Sequence, residues 1–274
     1  MSTLVGIVKL TQSLEPATQY AAFALAVPGT AADFPLLADR YVAWSADARP
    51  LLIVDTAVEI MMRGEGEASS IGRDLELHGV IVNQEEEAVA EFKSAYGSAV
   101  FSDPNAATAL FAQRNSWTLD EPGEYDIRLC VVDRRTGALS ATLMTVTIPS
   151  FEDTAWRTSD VTLVTEDDAG RMQPVVQGLG FAGRPISAYL EVYQGQQPIA
   201  EATLRGETGT RSMEDAVQFS SPFETNPDGV HRLHLSLPAM KPGAYFLDIE
   251  VVDQVAGQTR QFQIPLSILP EPAR

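Results

Sequence analysis

The side chains of this sequence that could do chemistry are few, and their spacing works against them. His231 and His234 stand three apart in V-H-R-L-H-L-S-L. On a helix that spacing can serve a metal, but the alternating apolar residues make this a strand, where positions three apart face opposite sides. His78 stands alone, and no Cys or acid sits at ligand spacing from any of the three. Glu166, Asp167 and Asp168 precede Gly170 between two strands and form the one metal candidate, since calcium takes about six to eight oxygens. The turn preference of Asp and Gly accounts for the same cluster without an ion. G-L-G-F-A-G at 178–183 matches a dinucleotide fingerprint, but Arg184-Pro185 and the strand I-S-A-Y-L follow it. The fingerprint needs a helix there, with its first N–H groups facing the pyrophosphate, so a loop is expected instead. Glu85, Glu86 and Glu87 read as a solvated hairpin tip, without the burial that tunes a general acid. No nucleophile elbow, zinc-protease motif or phosphate loop occurs. The expectation is a protein with no catalytic residues and no cofactor, hence not an enzyme.

The elements around these residues come in two copies. E-P-G-E-Y-D-I-R-L-C-V-V-D-R-R-T-G at 121–137 returns as K-P-G-A-Y-F-L-D-I-E-V-V-D-Q-V-A-G at 241–257, at a constant offset of 120 residues. Each copy opens on Pro-Gly (Pro122-Gly123, Pro242-Gly243), continues as an alternating strand and closes in a polar turn ending in Gly. Pro then Gly at the two central positions predicts a type II turn, whose third residue needs positive φ. Along the chain, Leu51–Met62 reads as a strand. L-E-L-H-G-V-I-V (75–82) and A-V-A-E-F (88–92) read as a hairpin, and A-Y-L-E-V-Y (188–193) with P-I-A-E-A (198–202) as its repeat, at an offset of 110. That offset puts about ten extra residues of the second half near 206–215. Residues 29–50 read as a connection and 102–112 as a short helical turn from Asp103-Pro104 leading into a strand.

About seven short strands per half, with turn signals at regular intervals, predict an all-β chain: two tandem antiparallel β-sandwiches, residues 36–150 and 151–274. Residues 1–35 precede them as strands of their own, 4–10 and 19–28. These are either the last hairpin of a missing repeat or extra strands of the first sandwich. The chain carries 37 acids against 19 bases, a net charge of −18, with acids outnumbering bases about two to one in both halves. So acidic a surface repels nucleic acid and anionic membranes, and keeps sheet edges apart. No stretch approaches the roughly 20 apolar residues of a membrane span. Cys130 is the only cysteine, so no disulfide forms within the chain. In its strand it alternates away from the core face of Tyr125, Ile127, Leu129 and Val131, towards solvent or another surface. The N-terminus lacks the basic region of a signal peptide. The protein is expected either to be cytoplasmic or to be a mature or truncated piece of an exported chain.

Tyr125 and Tyr245, two residues after the Pro-Gly, look like the tyrosine corner of immunoglobulin-like and fibronectin type III-like folds. With the run from P-G-E-Y-D-I-R-L-C-V-V-D through T-G-A-L-S, V-T-I-P-S-F and S-D-V-T-L-V, the chain resembles tandem C-terminal modules of bacterial envelope-associated proteins that follow a von Willebrand factor A-like domain. The resemblance covers roughly residues 45–270. It implies an exported, non-enzymatic module for spacing or protein contact in the cell envelope. The adhesion motif D-x-S-x-S of the upstream domain is absent, so metal-mediated adhesion is not carried over. Two alternatives stand beside this reading. One is a cytoplasmic accessory or assembly subunit. The other is a carbohydrate-binding module, for which Trp44, Trp156 and Trp117 would have to be exposed, although the spacing of Trp117 suggests core. The expected contact site is the loop region 206–228. Tyr125→Phe and Tyr245→Phe are each expected to cost about 1 kcal/mol, the worth of one hydroxyl-to-backbone hydrogen bond. Urea unfolding curves that either substitution leaves in place would refute that role.

Overall fold

The computed structural model describes residues 25, 32–45, 49–61, 71, 74–97, 99–103, 108–150, 156–167, 170–206, 217–220, 223–225 and 229–270. The described residues form β-strands almost throughout. The first eight are β1 (Leu36–Trp44), β2 (Pro50–Met61), β3 (Leu75–Asn83), β4 (Ala88–Ala95), β5 (Phe101–Asp103), β6 (Thr108–Thr118), β7 (Gly123–Asp133) and β8 (Leu139–Ile148). They pair in two sheets, ordered β1-β2-β6-β5 and β4-β3-β7-β8. Naming the strands A, B, C, C′, D, E, F and G in sequence, these orders are A-B-E-D and C′-C-F-G, the two sheets of an immunoglobulin-like sandwich. Alternation sends Leu52, Val54 and Val58 of β2, Phe111 of β6 and Ile127, Leu129 and Val131 of β7 into one core between the sheets.

Residues 157–269 repeat the plan. β9 (Arg157–Thr158), β10 (Thr162–Glu166), β11 (Met172–Pro174), β12 (Leu179–Phe181), β13 (Ile186–Tyr193), β14 (Pro198–Gly206), β15 (Val217–Ser220), β16 (Glu224–Thr225), β17 (His231–Ser236), β18 (Gly243–Asp253) and β19 (Gln258–Leu269) follow in order. One sheet runs β11-β10-β13-β17-β16 and the other β12-β19-β18-β14-β15. β10, β13, β17 and β16 are A, B, E and D; β15, β14, β18 and β19 are C′, C, F and G. β12 adds a short parallel pairing to β19. Its core joins Leu190, Leu233, Leu247, Ile249 and Val251.

Several local expectations are revised. Residues 188–193 and 198–202 are not a hairpin: β13 belongs to the A-B-E-D sheet and β14 to the C′-C-F-G sheet. Leu75 lies opposite Asp133 and Pro198 opposite Asp253, so β14 is the counterpart of β3, offset by 123 residues. Between B and C the first sandwich has 13 residues, 62–74, where the second crosses with four, 194–197; between C and C′ the second has ten, 207–216, where the first has four, 84–87. A hairpin loop and a sheet-to-sheet crossing join strands of the same alternation, so the pattern identifies strands but not partners. Residues 36–44 form a strand rather than a connection. Asp39 and Tyr41, on the face towards the second sandwich, and the exposed Arg40, opposite Val54 on the other face, disguise its alternation. Phe101–Asp103 is strand, β6 begins at Thr108, and 104–107 lie outside the described residues. Of the N-terminal strands only Leu25 and residues 32–35 are described, and Leu25 is helical rather than extended.

Gly123 and Gly243 share a φ of 152°, well beyond the roughly +80° of a type II turn, and each is the first residue of its strand. A Cβ there would lie 3.9 Å from the Tyr125 ring and 3.7 Å from the Tyr245 ring. The Tyr125 hydroxyl donates to the Glu121 carbonyl at 2.7 Å, and the Tyr245 hydroxyl to the Lys241 carbonyl at 3.0 Å. Tyr125 is buried in its core, and Tyr245 is half-buried against its own. At the other end of the same strands, Asp133 and Asp253 are buried. Asp253 accepts the N–H groups of Gln196, Val255 and Ala256 at 2.8, 2.9 and 3.0 Å, which ties the β18–β19 turn to the crossing from β13. Burial works to raise its carboxyl, but the backbone donors of Ala256, Gln196 and Val255 outweigh it and hold the group below the usual carboxylate range. A depressed folded pKa stabilises above the unfolded value, near 4, and that contribution is lost as pH falls through the folded value. Asp253→Ala is expected to cost about 2 kcal/mol at neutral pH. Its deficit relative to the wild type should shrink in urea titrations below pH 4; a deficit independent of pH would contradict the charge-assisted role.

Candidate functional site: the seam between the sandwiches

β1 is an edge strand, so alternate residues point unpaired backbone N–H and C=O groups outward, at Ala38, Val42 and Trp44. The second sandwich takes them. The Val42 N–H donates to the Asp160 carboxylate at 2.8 Å, and the Asp160 N–H donates to the Val42 carbonyl at 2.9 Å. The Tyr193 hydroxyl accepts the Trp44 N–H at 3.2 Å and lies 3.2 Å from the Trp44 carbonyl and against the Glu191 carboxylate, its single proton going to one of the two. The Tyr193 ring meets the Trp44 indole edge-on, centroids 5.3 Å apart. The Gln177 side-chain amide donates to the Ala38 carbonyl at 3.4 Å, and its backbone N–H donates to the Asp39 carboxylate.

The outward face of the same sheet is covered too. Ala57, Leu110 and Ala112 pack with Val176 and Phe181 of the second sandwich. Arg184 reaches across to the Val100 carbonyl at 3.0 Å. Directly opposite one another on β2 and β6, Asp55 and Arg114 form a two-pronged ion pair at 2.7 and 2.8 Å, with Asp55 0 % exposed. Burial pushes the Asp55 carboxyl upward even against the pull of Arg114. Burial likewise raises Asp39, opposed by its Gln177 and Tyr41 donors, and Asp160, opposed by the Val42 N–H.

Between the covered patch and the β1 edge the faces diverge into a cleft of ≈ 280 Å³. Tyr41, Ala43, Leu51 and Ile53 line one wall; Thr162, Tyr189, Glu191 and Arg232 line the other. Tyr189 and His234, directly opposite on β13 and β17, stack with ring centroids 4.6 Å apart and an interplanar angle of 7°. Glu191 and Arg232, the next outward pair, form an ion pair at 2.6 Å. The arrangement offers an apolar, aromatic floor with one ion pair at its rim. It suits a large side chain or an extended segment of a partner.

Of the residues singled out in the sequence, Trp44 and His234 lie at the seam; the others lie elsewhere. Asp167 is buried in its turn, where it accepts Arg171 N–H groups and the Gln173 amide, so its oxygens already have strong donors. Glu166 is exposed, and Asp168 lies outside the described residues. Among the described residues no three His, Cys, Asp or Glu side chains converge as a metal site would need. In G-L-G-F-A-G, 179–181 is β12; a Cβ on Gly178 would meet the Pro265 carbonyl at 2.0 Å and one on Gly180 the Ile186 side chain at 2.5 Å. Close approach between strands, not a ligand, requires those glycines. His231 bonds the Gly195 carbonyl and sits by Thr225, on the opposite side of its strand from the cleft-facing pair. Glu86 pairs with Arg128 at the hairpin tip. Cys130 does face away from the core, yet it is 0 % exposed, among Val132, Leu25, Leu139 and Ala141. Trp44 is buried, Trp117 stacks half-buried on Phe92, and Trp156 faces a pocket of ≈ 460 Å³ with Arg157 and Arg260. Of the loop region 206–228, residues 207–216, 221–222 and 226–228 lie outside the described residues. The cleft itself went unnoticed in the sequence. Its only trace was the run of apolar residues on both faces of β2, Leu51 to Val58.

No protein-family model matches the sequence, and no curated protein does. Among solved structures the chain is similar to an ICAM-5 ectodomain fragment comprising D1–D4, at 15 % identity and a TM-score of 0.26, over 81 % of this chain and 50 % of that one. It thus spans half the length of that fragment. It is also similar to the C-terminal domain of the Streptococcus pyogenes antigen I/II-family protein AspA, at 8 % identity and a TM-score of 0.23, over 85 % of this chain and 99 % of that one. At TM-scores of this size neither likeness bears on what the chain binds.

Removing Arg114 strands a buried carboxylate. Arg114→Ala is expected to cost about 2–3 kcal/mol, with Asp55→Ala in the same chain recovering part of the loss in urea unfolding. A double variant no better than the single would count against the pair. Asp160→Asn keeps an acceptor for the Val42 N–H and removes the charge. A raised folded pKa makes the wild type gain stability as pH falls from 7 through that value, so the wild type should improve relative to Asp160→Asn on acidification. Parallel pH profiles would contradict it.

Proposed function

We propose that the chain is a non-enzymatic, protein-binding unit of the bacterial cell envelope, built from modules 36–150 and 151–274, that holds its partner at the cleft between them. The observation that carries this reading is the cleft's composition. Tyr41, Leu51, Ile53 and Tyr189 put apolar surface on the outward faces of two sheets, positions that a free sandwich fills with polar residues. The backbone and side-chain bonds across the seam keep the two walls in place, which lowers the ordering cost of binding. The envelope setting, downstream of a von Willebrand factor A-like domain and outside the cytoplasm, rests on the family resemblance alone. The acidic surface favours a protein partner over nucleic acid.

A second reading has its own observation: the pocket of Trp156, Arg157, Arg260 and the Trp44 edge could hold an acidic sugar by stacking and charge. Tryptophan fluorescence titrated with acidic and neutral glycans separates the two, because the cleft reading expects no response to either.

The cleft is tested by selecting peptides on the whole chain and measuring the best one by calorimetry against three variants. Ile53→Arg and Tyr189→Ala are expected to weaken binding at least tenfold, about 1.4 kcal/mol. Val255→Arg, at an exposed apolar position in the β18–β19 turn and outside the cleft lining, is expected to leave it unchanged. Equal effects at all three positions, or none at the first two, would refute the assignment.

A further inference from the structure

The two sandwiches share strand order and register, so corresponding positions can be compared directly. On the outward face of the first C′-C-F-G sheet, His78, Cys130 and Ala141 lie in one cross-strand row and Glu76, Val132 and Leu139 in the next. The corresponding rows of the second are Glu201, Glu250 and Gln261, then Ile199, Val252 and Thr259. The second face is polar, with Gln261 donating to Glu250 at 2.8 Å, and its Gln261, Thr259, Glu201 and Ile199 are exposed. On the first face Cys130 is 0 % and Val132 1 % exposed, although both point away from the sandwich core. Beside Glu76 and His78, the side chains of Cys130, Val132, Leu139 and Ala141 form an apolar patch, which is unfavourable in water unless something closes it.

The cover comes from the chain's own beginning. Ala32 bridges Ser140 in antiparallel fashion. The Asp33 N–H donates to the Leu139 carbonyl at 3.1 Å, and the Asp33 carboxylate accepts the Leu139 N–H at 2.9 Å. The Ser140 hydroxyl accepts the Phe34 N–H at 3.0 Å and donates to the Phe34 carbonyl at 2.6 Å. These bonds take up the free edge of β8 at Leu139 and Ser140, where the second sandwich has the exposed residues Thr259 and Arg260. Seven residues further back, within a reach of roughly 23 Å for an extended chain, Leu25 packs on Cys130, Val132, Leu139 and Ala141.

We propose that the outward face of the first C′-C-F-G sheet is the docking surface for the chain's own segment N-terminal to Ala32, with Leu25 as its apolar anchor. The first sandwich then carries a cover on this face where the second exposes Thr259 and Gln261. Cys130, inert in that position, is a natural reporter of whether the cover is in place.

The test uses the whole chain. In the wild type, Cys130 is expected to react with an aromatic disulfide reagent at least 100-fold more slowly than in urea, and Leu25→Asp to speed that reaction at least tenfold. A wild-type thiol that reacts at the unfolded rate, or one that Leu25→Asp leaves as slow as before, would overturn the proposal. Leu25→Cys keeps the anchor small and apolar and covers the case in which Leu25→Asp fails to fold. Oxidation of that variant with diamide at low protein concentration is expected to give a monomer in which the introduced thiol is disulfide-bonded to Cys130, by intact mass and peptide mapping. Two free thiols, or disulfide-linked dimers that assign the face to a second copy, would overturn it.

Discussion

An edge strand cannot be left with bare backbone groups against a neighbouring domain, and that constraint on β1 organises the molecule. Ala38, Val42 and Trp44 turn their outward polar groups towards the second sandwich. Gln177 and Tyr193 meet them with side chains, and Asp160 with its carboxylate and its backbone N–H, rather than with another strand. Side-chain partners satisfy the edge without extending the sheet, so the two sandwiches lock together while each keeps its own core. The same contact covers the outward face of β2. A strand that would otherwise alternate apolar and polar residues is therefore buried on both sides over Val54–Val58.

The buried and half-buried acids are of two kinds, and they respond to pH in opposite senses. Asp253 sits where backbone N–H groups converge in a turn, and those donors stabilise its charge. Asp39, Asp55 and Asp160 sit in the seam, where burial dominates and works against charge. The charge of the turn acids is thus favoured by folding, and the charge of the acids between the sandwiches is disfavoured by it. The strength of the seam and the strength of each fold need not peak at the same pH.

Two copies of one fold diverge most where their surroundings differ. The Pro-Gly-x-Tyr corner and the Asp that ends the F strand are the same in both, with matching glycine φ and matching hydroxyl-to-carbonyl bonds, because each answers a need internal to one sandwich. The outward faces answer to different neighbours. One is polar; the other is apolar beneath Leu25. Cys130, Leu139 and Ala141, standing where the other repeat has Glu250, Thr259 and Gln261, are the sequence's sign of that difference.

The sequence by itself determined most of the strands, their alternation and the existence of two sandwiches, because period-two burial and turn chemistry are local properties repeated at a fixed offset. It also argued against a dinucleotide site in G-L-G-F-A-G, since no helix could follow. Only the tertiary structure decided which strands are partners. The 188–202 segment reads as a hairpin although β13 and β14 lie in different sheets, and a polar tetrapeptide is compatible with either path. Only the tertiary structure, too, brought Tyr41 and Ile53 up to Tyr189 and Arg232, well over a hundred residues apart. Their alternation says that each points outward from its own sheet. Whether an outward residue meets water, a neighbouring sandwich or a partner depends on contacts between distant parts of the chain, and no local pattern encodes those.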